Sequence, residues 1–138
     1  MRIVLDTNTV VSGLLWHGAP RSILDLAREG RATLFTSPTL LVELEDVLGR
    51  PKFAKRLRLA DVTVSDLVRG YAALAQPTRV ESVPPVIKED PDDDHVLACA
   101  VQSRADYIVS GDGHLKALGK YKGIAILQAH ELLEKIQE

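Results

Sequence analysis

The chain has 138 residues, of which 46% are hydrophobic and 26% charged, the balance of an ordinary globular protein able to bury a core. No apolar run approaches the roughly 18 residues of a membrane span. The net charge of −2 excludes a general attraction to polyanions, so a nucleic-acid partner would require local basic patches or bound cations.

The opening MRIVLDTN lacks a signal-peptide pattern, and the chain reads as one domain over residues 1–138. Arg2 to Leu5 form a short apolar run ending at Asp6, as in a buried strand. A helix follows through Val10, Val11, Leu14 and Leu15 and breaks at His17-Gly18-Ala19-Pro20. Pro20 suits the first turn of a second helix carrying Ile23, Leu24 and Ala27, which Gly30 ends. Ala32 to Thr36 reads as a strand. Ser37-Pro38 then starts a helix with Leu40, Leu41, Leu44, Val47 and Leu48 on one face.

Pro51 opens a short basic helix, and Thr63 caps another carrying Val64, Leu67, Val68, Tyr71 and Leu74. The stretch from Pro77 to Pro91 holds four prolines, with a weak strand near Arg79 to Val83, and reads as a connector across one sheet edge. A helix from about Asp93 to Ser103 and a strand from Tyr107 to Ser110 lead to Gly111-Asp112-Gly113. A short helix, a strand near Ile124 to Leu127 and a helix bearing Leu132, Leu133 and Ile136 complete the chain. Cys99 is the only cysteine, which excludes an internal disulfide and fits a reducing, cytoplasmic setting. Among Val96, Leu97, Ala98, Ala100 and Val101 it reads as a small core residue.

Strands alternating with helices predict a parallel sheet covered on both faces, with ligands bound beyond the carboxyl ends of the strands. The carboxylates gather at that end. Asp6 follows the first strand, Asp112 follows YIVS, Asp94 begins the helix feeding YIVS, and Glu43 lies in the second turn after ATLFT. Each has a local explanation. Asp6 can accept N–H bonds in its turn, and one of Asp92, Asp93 and Asp94 can cap the helix. Asp112 suits a Gly-Asp-Gly turn, and Glu43 can be a solvated helix residue. Four acids converging on one end of a sheet are harder to explain that way. Such a set suits Mg²⁺ or Mn²⁺, one or two ions, which would polarise a phosphoryl oxygen and help generate hydroxide. His17, His95, His114 and His130 form no recognisable pair, and none is required for that chemistry.

Four motifs carry a resemblance: VLDTNTVVSGL, Glu43 in LLVELEDVL, DPDDDHVLACA and ADYIVSGDGHL. In order and spacing they resemble PIN-domain proteins, metal-dependent ribonucleases that include the VapC toxins of toxin–antitoxin pairs. The resemblance spans essentially the whole chain. It implies a three-layer α/β/α sandwich around a central parallel sheet, and an acidic site of Asp6, Glu43, Asp94 and Asp112. Asp94 is chosen because the family's acid precedes two variable residues and then an aliphatic-alanine pair, here Leu97-Ala98. Asn8 and Ser110 match polar positions that orient the acids, and Asp92 is an auxiliary candidate. An RNA substrate, a cognate antitoxin and a homodimer are further implications.

Arg50, Lys52, Lys55, Arg56 and Arg58 in GRPKFAKRLRLA can grip phosphates or form a solvated helix face. Only 4% of residues are aromatic, which argues against substrate binding that relies on stacked bases. Two alternatives to a ribonuclease stand. One is a non-catalytic PIN-like module that binds RNA or protein. The other is a haloacid-dehalogenase-type phosphatase, whose DxDx[TV] pattern DTNTV resembles, with Asn8 replacing the second Asp.

Overall fold

The apolar residues of Arg2–Leu5, strand β1, face two different cores. Ile3 and Leu5 join one buried cluster with Leu34 and Val109, while Val4 joins another with Phe35 and Ile108. A strand buried on both sides needs covering layers on both sides. The computed structural model describes residues 1–87 and 90–137 and supplies those layers. Glu89, one of the acids in the run before the helix, lies outside the described residues.

In chain order the elements after β1 are α1 (Thr7–Leu15), α2 (Ala19–Arg28), β2 (Thr33–Thr36), α3 (Pro38–Leu48), α4 (Pro51–Ala60) and α5 (Val64–Leu74). Then come β3 (Gln76–Pro77), α6 (Pro91–Gln102), β4 (Tyr107–Val109), α7 (Gly113–Leu118), β5 (Lys120–Tyr121), β6 (Ile124–Leu127) and α8 (Ala129–Ile136). The sheet order is β3-β2-β1-β4-β6-β5, with every pairing parallel except β5 with β6. Helices α1, α2, α5 and α8 cover the Ile3 and Leu5 face, and α6 and α7 cover the Val4 face. Helix α3 straddles the two, giving Leu40 to one cluster and Leu44, Val47 and Leu48 to the other. The three-layer arrangement expected from the alternation of strands and helices is present. Cys99 is fully buried in the second cluster, where burial pushes its thiol up to about 12. No helix among the described residues is long and apolar enough to cross a membrane.

Local chemistry sets most boundaries. The Ser37 hydroxyl accepts the Leu40 N–H at 3.2 Å with Pro38 in the first turn of α3, and Thr63 and Asp66 form a reciprocal capping box on α5. Three boundaries differ from expectation. The predicted strand near Arg79 to Val83 is absent: the edge strand is Gln76–Pro77, pairing with the end of β2, and the chain leaves the edge after Thr78 N–H donates to Thr36 O at 2.7 Å. Helix α6 starts at Pro91, two residues early, because Asp90 caps it by accepting the Asp92 N–H at 3.1 Å. Finally, Lys122 and Gly123 turn with φ of 47° and 82°, folding Lys120–Tyr121 back on β6 as a hairpin.

Gly13 fixes how α1 meets α2. A Cβ there would lie 2.9 Å from Leu24 Cδ1 and 3.1 Å from the Pro20 carbonyl carbon and oxygen. Helix propensity would favour alanine by about 1 kcal/mol. The backbone of α2 cannot yield cheaply, so overpacking of about 1–3 kcal/mol should win. Gly13→Ala is expected to lower stability in urea unfolding; a stabilised variant would show that the helices slide apart freely.

Candidate metal centre

Chain order runs outward from β1 through β2 to β3 and, in the other direction, from β4 to β6, so the reversal lies between β1 and β4. A parallel sheet opens a crevice at that point, past the strand ends. Asp6 and Asp112 follow the two strands that flank it. The Asp6 N–H donates to Val109 O at 3.1 Å, which ties the two strand ends together.

Asp6 caps α1: Oδ1 accepts the Thr9 N–H at 2.9 Å, and Oδ2 accepts the Ser110 hydroxyl in a short hydrogen bond. Burial pushes Asp6 up, the hydrogen bonds from Ser110 and Thr9 pull it down, and the charge of Asp112 adds to the upward pressure, leaving it raised overall. Ser110 Oγ also accepts the Asp112 N–H at 2.9 Å. Asp112 in turn caps α7, its Oδ2 accepting N–H groups of His114 at 2.9 Å and Leu115 at 3.1 Å.

The start of α6 supplies more acids. Burial first, then the hydrogen bond and charge of Asp112, and then Asp90 and Asp6, raise Asp93 to about 8. Burial also pushes Asp112 up, but the hydrogen bond from Asp93 and those from the Leu115 and His114 backbone outweigh it and hold Asp112 low. Asp93 and Asp112 therefore titrate as a pair, Asp93 pushed up and Asp112 held down. Asp93 Oδ2 is buried and has no hydrogen-bond partner. Glu43 reaches in from α3; burial raises it, a hydrogen bond from Thr7 offsets this, and Asp92, Asp90 and Asp6 raise it further.

These side chains line one crevice of about 200 Å³: Asp6, Glu43, Asp90, Asp92, Asp93 and Asp112, with Asn8 and Arg50 among the other walls. Asp90, Asp93, Asp112 and His114 can each offer a ligand atom, all within 4.8 Å of one another. An orphaned, buried carboxylate oxygen inside a nest of oxygen donors fits a hard divalent cation, which would neutralise the mutual repulsion.

A PIN domain family model matches residues 2–114. The chain belongs to the PIN-domain family. An uncharacterised protein of Methanocaldococcus jannaschii is 30% identical over 121 residues, covering 86% of this chain and 75% of that protein. Among solved structures, VapBC2 from Rickettsia felis, crystallised bound to a DNA fragment from their promoter, matches with a TM-score of 0.61. The match covers 91% of this chain and 97% of that one at 14% identity, so what it shows is a shared PIN fold.

Within this PIN fold, one expected acid faces elsewhere. Asp94 Oδ1 accepts the backbone N–H groups of Val86 at 3.1 Å and Ile87 at 2.8 Å, and the residue lines a separate cavity with Ser82, Leu97 and Gln102. Successive helix residues point about 100° apart, so Asp93 and Asp94 cannot share a face. Asp93 takes the crevice position, and the i, i+3 spacing from Asp90 to Asp93 to Val96, all crevice-lining, is the signal that could have found it. His114 also comes within reach of these acids, which the sequence did not signal because its approach depends on how α7 begins. Asn8 and Asp92 line the crevice, and Ser110 donates to Asp6 beside it.

The basic segment divides. Arg50 lines the crevice, 3.7 Å from Asp46. Arg56 donates from Nε at 2.9 Å and Nη2 at 2.5 Å to Leu15 O, closing the carboxyl end of α1, and its guanidinium lies over the Trp16 ring. Lys52 lies over the Phe53 ring, and Lys55 and Arg58 are exposed along α4.

Because Asp94 straps the connector to α6, Asp94→Ala should strand two backbone N–H groups and cost about 1–3 kcal/mol. Asp94→Asn keeps an acceptor oxygen and should cost less than about 1 kcal/mol. Urea unfolding of both variants measures this; equal losses would place the effect in the charge and not in the strap.

Proposed function

We propose that this PIN-domain chain is a metal-dependent endoribonuclease, and that it acts as the toxin of a toxin–antitoxin pair. The observation that carries the nuclease reading is the buried, partnerless Asp93 Oδ2 beside Asp112, Asp90 and Asp6 at the sheet's switch point. In this reading Asp6, Asp93 and Asp112 hold one or two Mg²⁺ or Mn²⁺ ions, with Asp90 and His114 completing the donor set. The bound cation supplies charge neutralisation at the phosphate and a more acidic water.

The chain's own side chains do the rest. Ser110 fixes the orientation of Asp6 and the backbone entering Asp112. Asp93 and Asp112 would both face the cation with carboxylate oxygens, its charge offsetting their mutual repulsion. Glu43, raised by burial and set by Thr7, orients the attacking water and accepts its proton at the carboxylate. Asn8, Asp92 and Arg50 lie along the substrate's approach, Arg50 offering its guanidinium to a phosphate.

Membership of the PIN-domain family, which includes the VapC toxins of toxin–antitoxin pairs, is what supports an antitoxin partner; a homodimer and action in the cytoplasm as one domain over residues 1–138 belong to the same proposal. The phosphatase alternative needs a second Asp two residues after Asp6, and Asn8 stands there, which disfavours it.

The test is cleavage of unstructured RNA in Mg²⁺, Mn²⁺ or EDTA. Asp6→Asn and Asp93→Asn should lower the rate by at least about 100-fold, as expected for lost charge stabilisation worth a few kcal/mol. Asp94→Asn should keep most activity. A second readout is binding: Mn²⁺ should raise the melting temperature of the parent chain and leave that of Asp93→Asn unmoved. Cutting that survives EDTA and both inactivating variants would reject the assignment.

A further inference from the structure

Helix α1 leads away from the crevice and exposes every fourth residue on one side: Asn8, Ser12 and then Trp16 at its carboxyl-terminal cap. Asn8 lines the acidic crevice and also an adjoining open groove of about 310 Å³ that continues past Asp112 to Ser12. Trp16 stands two helical turns beyond Asn8, about 12 Å along the axis.

Trp16 is the only tryptophan and is 43% exposed, yet it is held firmly. The Phe53 ring meets it edge-on with centroids 6.0 Å apart. The Arg56 guanidinium covers it at 5.7 Å while clamping the carbonyl of the preceding residue, Leu15, with two hydrogen bonds. Lys52 lies 5.1 Å over Phe53. Helix α4 brings Phe53 and Arg56 to the indole, with Lys52 stacked behind on Phe53, and it begins beside Arg50, a crevice residue. From Arg50 to Ala60 the sequence carries five cations and no acid.

An exposed aromatic face could also mark contact with a second copy. Lysine is depleted from such interfaces, and pairing this patch with itself would bring Lys52 and the other cations of α4 against their own copies. A nucleotide matches both features at once, offering a flat base to the indole and a negative phosphate to the cations.

We infer that Trp16 is a base-stacking subsite for single-stranded RNA, holding a nucleotide away from the scissile phosphate while Lys52 and Arg50 follow the backbone between them. This rests on the nuclease reading and adds the strand's path and its single-stranded character, because a base inside a duplex has no free face to stack. The low aromatic content remains true of the chain as a whole. What stacking there is concentrates in one place.

The sole indole reports directly. In the Asp93→Asn chain, which spares the RNA, an unstructured ten-nucleotide RNA should quench Trp16 emission saturably, and a duplex of equal length or inorganic polyphosphate should not. In the otherwise parent chain, Trp16→Ala should raise KM about tenfold with kcat nearly unchanged, and Trp16→Phe should recover most of the loss. If the parent chain cuts RNA but emission and KM ignore both the RNA and the substitution, the subsite is wrong and the nuclease reading stands. If RNA quenches Trp16 saturably and the parent chain does not cut, the stacking strip stands and the nuclease reading fails. If Trp16→Ala dissociates an oligomer without altering RNA affinity, the patch is an interface between copies and the subsite is overturned.

Discussion

The Ser110 hydroxyl has one proton to give and lone pairs to accept with, and the structure uses both. It donates to Asp6 Oδ2 and accepts the Asp112 N–H, so a single oxygen stands between the acids that end β1 and β4. Ser110 is itself fully buried, and its own N–H is held by Leu127 O at 2.9 Å. Two strand ends, two helix starts and two carboxylates are thereby locked in one arrangement. The rest of the crevice is built around that lock.

Six carboxylates around about 200 Å³ repel one another, and the fold tolerates this by spreading the charge over donors it already has. The first turns of α1, α6 and α7 each leave N–H groups without intrahelical partners, and Asp6, Asp90 and Asp112 take some of them. Asp93 has no such donor for Oδ2, and burial together with the hydrogen bond and charge of Asp112 pushes it up while Asp112 is held low. A crevice assembled this way offers oxygen donors to a cation, and part of its repulsion is met by backbone dipoles that a parallel sheet with flanking helices presents.

The sequence exposed the fold's order well, because apolar periodicity switches cleanly between strands and helices from Arg2 to Ile136. It also placed Asp6 and Asp112, since both follow strands whose carboxyl ends the switch-point rule picks out. What it could not show depends on three-dimensional direction. Asp92, Asp93 and Asp94 are chemically identical neighbours, and only the start of α6 at Pro91 decides which of them faces inward. The edge strand at Gln76–Pro77 is fixed by where β2 ends, not by the β-propensity of Arg79 to Val83. Arg56 looked like one more surface cation, and its partner, the Leu15 carbonyl, lies 41 residues away in the chain.

The crowding of acids before α6 follows from this geometry. If capping were their only purpose, Asp90 would suffice. If cation binding were, the i, i+3 pair of Asp90 and Asp93 would do, since residues at that spacing share a face. Asp94 points another way and straps Val86 and Ile87, the last stretch of the connector that brings the chain from the β3 edge to α6. That strap resists rotation of the helix about its own axis, and rotation is the motion that would swing Asp93 out of the crevice. The acid outside the crevice thus helps to hold the direction of the acid inside it, and the run divides between two faces of one helical turn, Asp90 and Asp93 on the crevice and Asp94 on the strap.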